Sequence, residues 1–277
     1  MTPGIRYIRI TEISPSVFIR RMATLRGYFD GTGESTDPIE RVKVVGGCIA
    51  TADEWNELEP AWYSVLCAFK VREFKAAECN SRTNDFLGWS EDRRRDFLNQ
   101  LAAVINGTLH NPSKPIAALL PLSQFNALPV ETRRAWGNDP YFICLQDCIQ
   151  SVAVHAKDLY DPPGKVAIWC DQETEEFELI ARRVFRTCQT SLANNSGETL
   201  TSFGFSQSHL LAGLQVGDFV AYECLKLRRS MVDGKDDLID KPRWPLEQLL
   251  KMQCDFEFYS AQRLWEREPL SDYSLEK

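Results

Sequence analysis

Residues 25–35 read LRGYFDGTGES, and the fold turns on how this stretch is parsed. An apolar run climbs to Asp30 and then breaks on glycines, which predicts a strand over 25–30 that ends on a carboxylate. A second run over 42–51 follows the polar loop GTGESTDPIER, so the pair predicts a hairpin. One strand-ending aspartate is ordinary. The informative question is whether other carboxylates stand in comparable places.

A second one does. After the turn signal DPPG comes KVAIWCD, an apolar run ending on Asp171. Its continuity predicts a strand buried on both faces. Sites in open α/β sheets collect beyond the carboxyl ends of parallel strands, which makes Asp30 and Asp171 candidates. Each also has an ordinary explanation as a turn or helix cap.

The third carboxylate is harder to dismiss. In LLAGLQVGDFVAYECLKL, residues three, four and seven apart share a helix face. Asp218 therefore lines up with Leu211, Leu214, Tyr222 and Leu225, and with Gln215 and Ala221. A lone charge in such a stripe costs several kcal/mol if buried without a partner. An arginine, a shifted pKa or a shared cation would each compensate.

Strand-like and helix-like segments alternate between these points, which predicts an α/β class. Helices are expected over about 53–69, capped by Asp53 and striped with Trp55, Leu58, Trp62, Leu66 and Phe69, and from Ser90 to about 107. Others are expected over 141–157, 175–193 and 209–230, with strands over 115–122 and 199–205. The stretch VREFKAAECNSRTNDFLGW reads as a short extended run and then a loop. The charged, Pro-interrupted residues 233–277 read as an extension, as do residues 1–21, around a domain of 22–232.

Composition narrows the function. The chain has 277 residues, is 44% hydrophobic and carries a net charge of −7. That balance disfavours a broad polyanion binder, which needs concentrated Lys and Arg, but it permits local grip and carboxylate-held metal. Nine cysteines without a C-x-x-C pair predict reduced thiols and a cytoplasmic setting. The start MTPGIRYIRITEIS has no apolar signal core, and no run approaches a membrane span, so the sequons at Asn106 and Asn194 carry little weight. Three histidines support neither a His-rich metal site nor a catalytic triad. Three carboxylates on separate elements instead suit Mg²⁺ or Mn²⁺, which take hard oxygen ligands and support phosphoryl transfer.

Several segments together resemble the bacterial and phage domain-of-unknown-function 3800 family. They are YFDGTGES, VVGGCIA with EWNELEPAW, EFKAAECNSRTNDFLGWSEDRRRDFL, VAIWCDQ and LAGLQVGDFVAYE, in that order over about 25–230. The resemblance implies a ribonuclease H-like fold, a mixed sheet flanked by helices. It also implies a divalent-metal-dependent nuclease or phosphodiesterase, a hydrolase with Asp30, Asp171 and Asp218 holding Mg²⁺ or Mn²⁺, Glu78 or an acid near it completing the set, and nucleic acid as substrate. The chain departs from the family at Gly31, where an acid is common and Glu34 is the nearby substitute. It departs again at Lys75, where many members have histidine; protonated lysine contacts phosphate but ligates no metal.

Arg182 and Arg186, beside Arg183 on one expected helix, are candidate phosphate contacts, with a solvated helix face as the ordinary reading. Arg93 to Arg95 on another, and Lys226, Arg228 and Arg229 at the end of the Asp218 helix, have solvated helix faces as their ordinary reading. Two other functions fit the sequence. The Gly-rich turn DGTGES suits a nucleotide-phosphate-binding enzyme of related core. Alternatively the chain is a non-catalytic interaction module of a defence or mobile-element system, docking a protein through Trp244, Phe256, Phe258, Tyr259 and Trp265.

Overall fold

The computed structural model describes residues 24–32, 42–110, 113–159, 164–192 and 197–232, together with 245, 247, 249 and 255–258. Residues 1–21, the loop holding Glu34, and Trp244, Tyr259 and Trp265 lie outside these, as do the side chains of Arg228, Arg229, Phe256 and Phe258.

The described strands form one six-stranded mixed sheet in the order β5-β4-β1-β2-β3-β6. They are β1 (Thr24–Thr32), β2 (Val42–Thr51), β3 (Lys114–Pro121), β4 (Lys165–Asp171), β5 (Leu200–Ser206) and β6 (Asp255–Phe258). The expected hairpin forms, with β1 antiparallel to β2 and Asp30 opposite Gly46. β3 is antiparallel to β2, while β4 runs parallel to β1 and β5 parallel to β4. β6 adds to the far edge, parallel to β3. Among these strands β2 alone runs against the rest.

Helices flank the sheet on both faces. They are α1 (Ala52–Phe69), α2 (Ala76–Ser81), α3 (Glu91–Thr108), α4 (Leu122–Ala127), α5 (Val130–Ala135), α6 (Pro140–Leu159), α7 (Glu175–Ser191) and α8 (Ala212–Val232). One face carries a core of α1, α3 and α8 side chains around Trp62, Phe74, Phe97 and Phe219. The other carries α6 and α7 around Phe142, Cys148, Ile149 and Val184.

Local chemistry explains where the structure departs from expectation. Thr51, not Asp53, caps α1, because Thr51 and Glu54 form a reciprocal capping box: the Thr51 hydroxyl accepts from the Glu54 amide while the Glu54 carboxylate accepts from the Thr51 amide. β4 is fully buried on one face only. Val166, Ile168 and Cys170 are buried, whereas Ala167, Trp169 and Asp171 are half-buried, because α8 lies mainly over β1 and β2. The stretch after residue 71 is less irregular than its sequence suggests, since it contains α2 and a 3-10 turn over Asn84–Phe86.

Candidate acidic site

Pairing of β1 with β4 sets Phe29 beside Cys170, so Asp30 and Asp171 follow where that parallel pairing stops. β4 ends on Asp171, but β1 does not end on Asp30 as expected, because its pairing with β2 carries it on to Thr32. Phe29 and Cys170 enter the α6/α7 core. By strand alternation, the aspartates that follow turn to the α8 side. Asp218 reaches them from α8, whose backbone comes unusually close to the sheet. A Cβ on Gly46 of β2 would lie 2.7 Å from the Ala221 Cα, and one on Gly217 would lie 3.1 Å from the Asp30 amide nitrogen. Glycine at these two positions lets the helix seat directly on the strand that carries Asp30.

The three carboxylates feel one another. Burial, then repulsion by Asp218 and Asp171, raises the Asp30 carboxyl well above its ordinary range, against relief from Lys75 and the Gly31 amide. Burial also pushes Asp218 up to about 6, opposed by the Ala76 amide and Lys75 and assisted by Asp171 and Glu73. Sequence distance is thus converted to proximity: the late part of β1, the end of β4 and the α8 stripe converge.

Each acid is anchored. Asp30 Oδ1 accepts from the Gly31 amide at 2.7 Å, and Asp218 Oδ2 accepts from the Ala76 amide at 2.6 Å. Asp171 Oδ1 accepts from the amides of Gln172 and Ser208, both at 3.0 Å. The turn role of Asp171 and its place in the cluster therefore coexist, because they use different oxygens: Oδ2 faces Lys75 Nζ at 3.3 Å.

Lys75 is the cation of this site. Its ammonium lies 3.3 Å from Asp171 and 3.5 Å from Glu73 Oε1. Burial works to lower its pKa, but Asp171, Asp30, Glu73 and Asp218 outweigh burial and raise it. Glu73 also accepts from the Ser208 hydroxyl. Beneath them Gln215, fully buried, bridges three segments. Its Oε1 accepts from Trp62 Nε1 at 3.0 Å and from the Phe74 amide at 2.9 Å, and its Nε2 donates to the Ser208 carbonyl at 3.0 Å.

Glu73, Ser208 and Gln215 escaped the sequence reading. Glu73 and Lys75 face the site on either side of buried Phe74, but the run is too short for that pattern to single Glu73 out. Gln215 stood in the Asp218 stripe without being singled out.

Other candidates fall elsewhere. Glu78 lies on α2 and lines a cleft of about 430 Å³ with Arg72, Glu73, Lys75, Asn84, Asp85 and His209; the glutamate that pairs with Lys75, beside Asp171, is Glu73. Position 31 has no room for an acidic side chain, because a Cβ on Gly31 would lie 2.5 Å from the Tyr141 ring. Arg182 and Arg186 are exposed on α7, in the layer over the opposite face of the sheet. Arg182 stacks on Phe205 and donates to the Phe203 carbonyl at 3.1 Å, so it clamps the β5 edge. Arg93 stacks on Trp89, while Arg94 and Arg95 pair with Glu91 and Asp92.

Hard oxygen donors on three separate elements suit Mg²⁺ or Mn²⁺, and the raised Asp30 and Asp218 show repulsion that such a cation would relieve. Among the described residues, no three His, Cys, Asp or Glu side chains stand in a ready metal-holding arrangement. Lys75 lies among the carboxylates instead. No described helix is long and apolar enough to cross a membrane, and the described cysteines form no disulfides. No protein-family model matches the chain, and no curated protein matches it.

Proposed function

We propose that the chain is a divalent-metal-dependent nuclease or phosphodiesterase of ribonuclease H-like fold. The observation that carries the reading is the convergence of Asp30, Asp171 and Asp218, with burial and mutual repulsion raising Asp30 and Asp218. The sheet order supports the fold reading, with β2 antiparallel between β1 and β3, and with β4 and β5 parallel to β1.

In this proposal Asp30, Asp171 and Asp218 hold Mg²⁺ or Mn²⁺. When bound, the ion supplies Lewis acidity toward a phosphodiester and acidifies water for attack. Ser208 and Gln172 fix the Asp171 carboxylate through their amides, and Ala76 fixes Asp218. Lys75 faces both the acids and the open cleft, where it contacts a substrate phosphate. Glu78 lines the same cleft and stands ready to complete the acid set.

A second reading has its own observation. The Lys75 ammonium already neutralises part of the acidic cluster, which favours a non-catalytic interaction module.

One experiment separates the two. Melting temperatures of wild type and Asp218→Asn are followed through a Mn²⁺ titration, alongside cleavage of RNA, DNA and hybrid duplex. The nuclease reading expects stabilisation of wild type alone, by about 2.7 kcal/mol at a hundredfold excess over Kd, together with Mn²⁺-dependent cleavage. No response in either protein, and no cleavage, moves the module reading to the front.

A further inference from the structure

Lys75 combines a fixed root with a movable head. The backbone amides on either side of it, Phe74 and Ala76, are both pinned to α8, by Gln215 and by Asp218. Phe74 is buried in the core against Trp62, Phe97 and Phe219. Lys75 itself precedes α2 in extended conformation, and its side chain makes no capping bond there. Its root therefore cannot shift without unmaking two hydrogen bonds, while its four-carbon stem remains free to pivot.

The head has two places to go. One is the present position between Asp171 and Glu73. The other is the adjoining cleft of about 430 Å³, which Lys75 lines together with Glu78 and Asp85. Asp85 is already held by the Arg72 guanidinium, so Glu78 is the acid there that can receive an ammonium that leaves Asp171.

We infer that Lys75 is a tethered counter-cation of the acidic site, which a divalent ion must displace into the cleft before it can bind. The inference rests on the proposed metal site and assigns Lys75 a role in setting its affinity. An ammonium at 3.3 Å from Asp171 and a divalent ion held by the same carboxylate repel strongly, so the two occupancies exclude each other. Glu73 works with the lysine: it draws the ammonium toward the acids and is itself held by the Ser208 hydroxyl. Lysine suits such a role because its charge is compact and its stem flexible.

The test measures Mn²⁺ binding to the full chain by the electron paramagnetic resonance of free Mn²⁺, at neutral pH. Wild type is compared with Lys75→Gln and Lys75→Arg. Removing the charge is expected to tighten binding by about tenfold or more, whereas arginine, which keeps the charge, leaves binding near the wild-type level. If wild type binds and Lys75→Gln binds no better, the counter-cation inference is overturned while the metal site stands. Binding by Lys75→Gln alone upholds the inference and overturns a metal-dependent activity of the native chain. Absence of binding in all three overturns both.

Should Lys75→Gln fail to fold, the wild type supplies a second readout. The side-chain ¹⁵N resonance of Lys75 is expected to shift on Mg²⁺ addition as the ammonium leaves Asp171. A resonance unmoved at saturating Mg²⁺ overturns the inference.

Discussion

The same two strands serve the two faces of the sheet very differently. Toward α6 and α7, β1 and β4 contribute Leu25, Phe29, Val166, Ile168 and Cys170 to a dry core. That core also holds the thiols of Cys144, Cys148 and Cys188. Toward α8 the strands present Asp30 and Asp171, among Asp218, Glu73 and Lys75. A single residue step along β1, from Phe29 to Asp30, separates the two regimes. The apolar face is stabilised by area removed from water and tolerates small changes of shape. The acidic face depends on polar groups that must all find partners, so errors there are costly.

The largest break in this comparison is expected at Gln215. Gln215→Leu keeps the approximate volume but orphans the Trp62 indole N–H and the Phe74 amide, and takes one of two donors from the Ser208 carbonyl, which keeps the Leu211 amide. At roughly 1–3 kcal/mol for each buried unsatisfied group, the loss is expected to be about 4 kcal/mol, read by urea denaturation. A loss under about 1 kcal/mol would mean the acidic face is less dependent on complete pairing than argued.

Acid titration gives the next effect, and its sign is opposite to that of most carboxylates. Asp218 is raised from 3.8 to about 6 in the folded protein. Below both values the group is protonated in either state and contributes nothing. As pH rises from about 4 to 6 the unfolded chain ionises first, so folding stability falls, by about 3 kcal/mol in all for a shift of this size. Asp30, also raised, adds to the fall in the same direction. In chelator, wild type should therefore melt lower at pH 7 than at pH 5, and Asp218→Asn should flatten the slope and melt higher than wild type at pH 7. A wild type that gains stability across this window would show that its carboxylates are paired rather than crowded.

How far these features were legible depends on whether local pattern or long-range pairing decides them. Asp30 and Asp171 were readable because an apolar run stops on each, and Asp218 because helical period places it in an apolar stripe. The α1 cap was also written in the sequence, as Thr51 followed three residues later by Glu54, but Asp53 beside it drew the reading away. Glu73 and Ser208 were not legible, because their meaning lies in contacts 135 residues apart. Nor was β6, a four-residue DFEF strand that exists through pairing with β3 and has too few residues for a period to show. The exclusion of an acid at Gly31 likewise needs the Tyr141 ring, which comes from α6.

Close approach of α8 gives a smaller and sharper test. Gly46→Ala places a methyl 2.7 Å from the Ala221 Cα, backbone that cannot step aside, and is expected to destabilise by about 2 kcal/mol. Gly107→Ala is the matched control: this exposed residue of α3 has nothing within 4 Å of a built Cβ. There the better helix former should stabilise by about 0.8 kcal/mol. Opposite signs in thermal denaturation would tie the cost at Gly46 to helix seating rather than to loss of glycine as such.

The smallest expected effect probes the apolar face without disturbing it. Cys144, Cys148, Cys170 and Cys188 are buried, and burial raises every one of their thiols, with Cys188 pushed up to about 12. Because the thiolate is the reactive form, these four should resist a disulfide reagent at pH 8 while exposed Cys67 reacts. Labelling followed by peptide mass analysis reads each site separately. Divalent ion added beforehand should leave the four unlabelled, since burial is the largest cause of each raised thiol and is unchanged by the ion, although Asp30 and Asp171 also act on Cys170 across the sheet. Labelling of Cys170 that rises with Mn²⁺ would contradict that expectation. It would show that the step from Phe29 to Asp30, and its counterpart from Cys170 to Asp171, couples the two faces instead of insulating them.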